Sequence, residues 1–137
     1  MHGSKAMPIE DIKDEMIAFF IQRTYSPTLD QMQLYDCTRR FWSKISSKTK
    51  ARSAETGKLL YGTALAIADS VVVGVYRIAD WLPAGSTEAT RKFRPDIHRD
   101  LWEFVGRLLP DHPFLSRKLT QGGADYGAVQ LGWRYIN

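Results

Sequence analysis

Cysteine is the scarcest informative residue in this 137-residue chain: Cys37 stands alone. One thiol excludes an internal disulfide and a thiolate metal site, and it fits a reducing, cytoplasmic setting. Long apolar runs are also missing. No stretch approaches the ~20 residues of a membrane-spanning helix, so no membrane partner is expected. Histidine is sparse. His2, His98 and His112 are scattered, and none has a second histidine at the i+3 or i+4 spacing of helical metal ligands. They read as surface residues, and neither a metal nor a cofactor is implied. There is no P-loop and no G-x-G-x-x-G fingerprint, and the glycines of GGADYG (122–127) do not open a helix after a strand. No serine occupies a nucleophile elbow. No pair of carboxylates is spaced for acid–base catalysis, and Cys37 reads as core rather than nucleophile.

What the chain does have is positive charge in one place. Between Arg39 and Lys58 lie seven Lys or Arg and one acid, Glu55, a net +6 that exceeds the +4 of the whole chain. The remainder is therefore net acidic, and Glu10, Asp11, Asp14 and Glu15 crowd the first fifteen residues. Localised positive charge is the footprint expected of a polyanion binder. Rings are plentiful, with six Phe, six Tyr and four Trp, and Trp42 sits inside the basic stretch.

The order of elements indicates an α+β fold, either a small curved sheet or a β-barrel, with one or two flanking helices. The apolar run MIAFFIQ (16–22) predicts a strand. Thr28 and Gln31 have capping-box spacing and predict a helix from Leu29, with Leu34, Cys37 and Phe41 facing inward and Arg39 and Arg40 in its last turn. Residues 43–57 read as a loop or short helix. The valine-rich segment 59–78 predicts two strands around the ADS turn at 68–70. A long connection follows, then a strand at 101–109, a short helix in HPFLSRKLT, a loop in GGADYG, and a last strand at the end of the chain. Trp102 and Phe104 alternate, as do Trp133 and Tyr135, so each pair shares a face and is expected to pack. The opening MHGSKAM reads as a tag or disordered start, leaving one domain over 8–137.

Arginine presents a planar fork of donors to phosphate and stacks on bases. Tryptophan stacks a base. Lysines supply the salt-dependent attraction to a nucleic-acid backbone. On that chemistry the candidates are Tyr35, Arg39, Arg40, Trp42, Lys44, Lys48, Lys50 and Arg52. Trp81, in a loop after a strand, is placed to line a pocket. The bland alternative is a solvated loop beside ordinary core rings.

Four fragments, YDCTRRFW (35–42), GVYRIADWLPAG (74–85), LWEFVGRLL (101–109) and WRYIN (133–137), together carry a resemblance. Over about residues 16–137 the chain resembles a domain that follows a GIY-YIG nuclease domain in many bacterial proteins. The matched positions are Tyr35, Arg39, Trp42, Tyr76, Trp81, Trp102, Phe104 and Asn137. Arg40 replaces a small residue of the pattern, Leu101 an arginine, and DYGAVQLG an Asn-Pro segment. No nuclease domain accompanies these fragments, so no nuclease activity is carried over. The element order also looks like the PUA-like group, including ASCH and EVE domains, whose small barrel binds RNA or a modified base. That resemblance implies a cleft made of Arg23, Tyr25, Arg39, Trp42 and Trp81.

Three functions follow as expectations. The first is a nucleic-acid-binding module holding RNA or an unstacked, modified or single-stranded DNA base. The second is a small metal-independent nuclease or nucleotide hydrolase, with Tyr25, Lys118 or His98 as its reactive group. The third is a protein-interaction module that regulates a defence or repair protein.

Overall fold

Strand β2, Met16–Phe20, is buried at every position. Its run MIAFF has no polar face to offer water, which suits a strand covered on both sides. In the computed structural model, which describes residues 6–87, 94–127 and 130–137, β2 lies inside a five-stranded mixed sheet. Its neighbours are β3 (Thr63–Ala68), parallel to it, and β8 (Gly132–Ile136), antiparallel. The long strand β4 (Val71–Pro83) pairs with β3 and with β5 (Trp102–Leu108), giving the order β5-β4-β3-β2-β8. A smaller sheet joins β1 (Met7–Pro8), β6 (Leu119–Gln121) and β7 (Ala124–Asp125).

The α+β expectation holds, but among the described residues neither sheet closes into a barrel. β5 and β8 are the edges of the larger sheet. The β5 edge is partly covered, because Trp42 and Trp102 exchange backbone hydrogen bonds of 2.8 and 2.9 Å. The β3–β4 hairpin closes on Asp69 and Ser70, at φ 50° and 71°. Two successive left-handed residues make the tight turn whose twist matches the strands.

Alternation divides the core into two layers. Ile17, Phe19, Ala64, Tyr76 and Phe104 face one side of the large sheet, where helix α1 (Gln31–Arg39) and the segment from Trp42 to Tyr61 cover them. Ala18, Phe20, Leu65, Ile67 and Val75 face the other, against Met7, Leu119 and Tyr126. Met7, placed in the expected disordered start, is buried and pairs with Leu119. Ala6 is exposed, and residues 1–5 lie outside the described residues.

Several expectations shift. Helix α1 is capped by Asp30, not Thr28: its carboxylate accepts from Gln33 N at 2.8 Å, and the Gln33 side chain accepts from Asp30 N at 3.0 Å. The Asp30–Gln33 pair has the same spacing as Thr28–Gln31, two residues later, and Thr28 bonds Ser26 instead. Leu34 and Cys37 are half-buried, Phe41 lies past the helix end, and the buried helical side chains are Asp36, Thr38 and Arg39. Residues 43–57 form turns, and HPFLSRKLT forms turns leading into β6 rather than a helix. The connection after 78 is shorter than expected, since β4 runs on to Pro83 and a short helix α2 follows at Pro95–His98. GGADYG is the turn and second strand of the β6–β7 hairpin.

Candidate nucleic-acid interface

The basic segment after α1 crosses one end of the sheet and meets β8. Between them lies an open cleft of about 650 Å³, lined by Lys44, Lys48, Leu131, Trp133, Arg134 and Tyr135, among others. Its walls are fixed by hydrogen bonds. Trp133 Nε1 donates to the Ser43 carbonyl at 2.8 Å. The Tyr135 and Thr49 hydroxyls share a 2.6 Å bond, and Thr49 Oγ1 also accepts from Ser46 N at 3.3 Å. Buried Thr49 thereby holds the loop in one shape, with Lys44 at φ 63° turning its tip.

Cations and rings interleave here. Lys48 Nζ lies 4.3 Å from the Tyr135 ring centre and 5.7 Å from that of Tyr61. Lys50 Nζ lies 4.1 Å from Trp102. Such pairs place the ammonium over the ring's negative face while leaving it solvated. Arg52, by contrast, is tied down: it donates to the Gly57 and Ala79 carbonyls, each at 2.9 Å, and to Asp80 at 3.2 Å. A neighbouring hollow of about 180 Å³ holds Arg23, Thr24, Cys37 and Trp42, and shares Leu131 and Gly132 with the larger cleft. Arg23 is exposed, whereas Tyr25 is half-buried against the core.

Three of the expected binding residues are in the interior instead. Arg39, Arg40 and Trp81 are 3%, 1% and 4% exposed, too little to meet a polyanion. Arg39 Nε meets Asp36 at 2.9 Å and its Nη1 meets Glu103 at 3.0 Å. Arg40 Nη2 lies 3.2 Å from the same Glu103 oxygen. Thr87 Oγ1 accepts from both arginines and donates to Glu103, while Gly85 N donates to Glu103 Oε1 at 2.8 Å. Two cations and two anions thus make a buried, charge-balanced cluster, and burying a charge demands such pairing. Burial and then the adjacent Arg39 lower the Arg40 pKa, while Glu103 and Asp36 oppose that shift. Trp81 stands edge-on to Phe104, ring centres 5.4 Å apart.

Tyr35 and Trp42 are half-buried and oriented by backbone. The Tyr35 hydroxyl accepts from Gly106 N at 2.9 Å, and Trp42 Nε1 donates to the Thr38 carbonyl at 2.8 Å. Asn137 Nδ2 donates to the Ile12 and Asp14 carbonyls, anchoring the end of β8. The proposed reactive groups occupy separate settings. Lys118 pairs with Asp125 at 3.0 Å. His98, expected at the surface, is buried and stacked on Phe41 at 4.3 Å, its Nδ1 accepting from Arg94 N at 2.9 Å. Among the described residues no group of three or more His, Cys, Asp or Glu is placed to hold a metal ion.

Trp133, Arg134 and Tyr135 are the cleft residues that sequence reasoning missed. Alternation marked Trp133 and Tyr135 as sharing a face, but not that a basic loop lies against it. Comparison with protein-family models, curated proteins and solved structures gave no match.

Proposed function

We propose that this chain is a nucleic-acid-binding module that holds single-stranded RNA or DNA across the cleft of Lys44, Lys48, Trp133 and Tyr135. The observation that carries the reading is the placement of two solvent-facing cations, Lys44 and Lys48, beside Trp133 and Tyr135 along one open groove. The cations supply attraction to phosphates, and the rings supply a stacking surface that tolerates any base. The bond from Trp133 Nε1 to Ser43 orients the indole in advance, which lowers the ordering cost on binding. Arg23 and Trp42, in the adjoining hollow, extend the path by another nucleotide. Arg39, Arg40 and Trp81 support the groove from inside rather than touching the ligand.

The test is fluorescence anisotropy with labelled single-stranded RNA, single-stranded DNA and duplex DNA over a salt series. Three phosphates neutralised on a single strand by Lys44, Lys48 and Arg23 give a log–log salt slope of about −2. The combined Lys44→Gln, Lys48→Gln, Arg23→Gln variant should bring that slope close to zero. Absence of binding at low salt, or an unchanged slope in the variant, would refute the reading.

A further inference from the structure

Arg77 on β4 and Arg107 on β5 are register partners in an antiparallel pair. Directly opposed residues project from the same face with Cβ atoms about 4.5–5.5 Å apart, and like charges placed so repel. Both side chains are exposed, so burial does not force the pairing. Among the described residues, no carboxylate lies within 4.0 Å of either guanidinium or of Lys58 Nζ.

The two arginines, Lys58 and Arg52 line one cleft of about 300 Å³, together with Gly57 and Gly62. Asp80 is the carboxylate that reaches this group, and it is paired with Arg52 at 3.2 Å. Gly62 lies beside the arginine: a Cβ there would be 3.9 Å from Arg77 Nη1 and 3.1 Å from the Leu59 carbonyl oxygen. The volume matches the small end of ligand pockets. This cleft and the one between Lys44 and Tyr135 have no lining residue in common.

We propose that this second cleft is a binding site for a phosphate group, held in the fork of Arg77 and Arg107 with Lys58 closing over it. A phosphate oxyanion turns the repulsion between the arginines into two charge-assisted contacts on one ligand, the geometry at which guanidinium excels. The site stands independently of the nucleic-acid groove.

The experiment is a titration of the ¹⁵N-labelled full chain with inorganic phosphate, against chloride at matched ionic strength, following the Gly57 and Gly62 amides. Saturable shifts with phosphate and not with chloride are expected. Arg107→Gln should weaken phosphate binding about tenfold, the loss of one charge-assisted contact. It should also melt no lower than the wild type in phosphate-free buffer, because a repulsion has been removed. Lys58→Gln, on an exposed turn, gives the same weakening with little risk to the fold. Non-saturating shifts, equal shifts with chloride, or unchanged affinity in both variants would overturn the site. RNA binding by Arg107→Gln then identifies the source of the phosphate. Weakened RNA binding assigns it to a polynucleotide backbone, and unchanged RNA binding with lost phosphate binding assigns it to a small phosphorylated ligand.

Discussion

Arg39 and Glu103, 64 positions apart in sequence, meet at 3.0 Å with both side chains almost wholly removed from solvent. This contact fastens the last turn of α1 to β5. Glu103 also faces Arg40, so its removal would leave Asp36 to balance two buried guanidinium groups. Glu103→Ala should cost about 3–5 kcal/mol, the penalty for breaking a buried ion pair from one side. Glu103→Gln, which keeps an acceptor, should cost less. Urea unfolding curves check both, and a loss below about 1 kcal/mol in Glu103→Ala would mean that water reaches the cluster.

Gly106 on β5 lies against the backbone of β4. A Cβ at this position would lie 2.1 Å from the Arg77 carbonyl oxygen and 3.0 Å from its carbon, both backbone atoms that cannot swing away. Gly106→Ala should therefore exceed the ordinary overpacking cost of about 1–3 kcal/mol. Tyr35→Phe removes the acceptor of the Gly106 N–H and should cost about 1 kcal/mol. Thermal melts of the two variants should rank in that order.

Burial raises the pKa of Tyr76 and of Tyr126 above the usual phenol value. The unfolded chain releases these protons near pH 10, while the folded chain keeps them. Stability contributed by the two neutral phenols is thus complete below pH 10 and is lost as pH rises beyond it. An alkaline titration followed by phenolate absorbance should show Tyr76 and Tyr126 ionising together with unfolding. Tyr76→Phe should reduce the amplitude of that cooperative step.

His112 behaves in the opposite sense. Burial, with some help from Arg77 and against Asp14, lowers its pKa from the usual 6.5. Its Nδ1 accepts from Phe114 N at 3.1 Å, which also suits the neutral ring. The unfolded chain takes up a proton as pH falls through 6.5, whereas the folded chain resists until a lower pH. Stability should decline across that window. His112→Gln should flatten this part of the pH profile, and the ring's own titration can be followed by NMR.

Much of this architecture is legible in local pattern. The all-apolar run at 16–20 is a strand because nothing in it can face water, and the ADS turn closes a hairpin because two small polar residues accept left-handed backbone. Helix placement was two residues out because Asp30–Gln33 and Thr28–Gln31 offer the same cap, and pattern alone does not choose between them. The length of β4 was hidden by Asp80 and Pro83, which look like loop residues but sit on a strand's exposed face and end.

The sequence by itself determined the α+β class, the buried central strand and the concentration of cations between Arg39 and Lys58, because these depend on composition and short-range periodicity. Tertiary structure decided which of those cations face solvent. Arg39 and Arg40 turned inward because Glu103 and Asp36 neutralise them there, whereas Lys44 and Lys48 stayed out beside Trp133 and Tyr135. It also decided that Arg77 and Arg107 stand opposite each other. Strand register sets such meetings between residues far apart in the chain, and no local pattern of charge encodes that register.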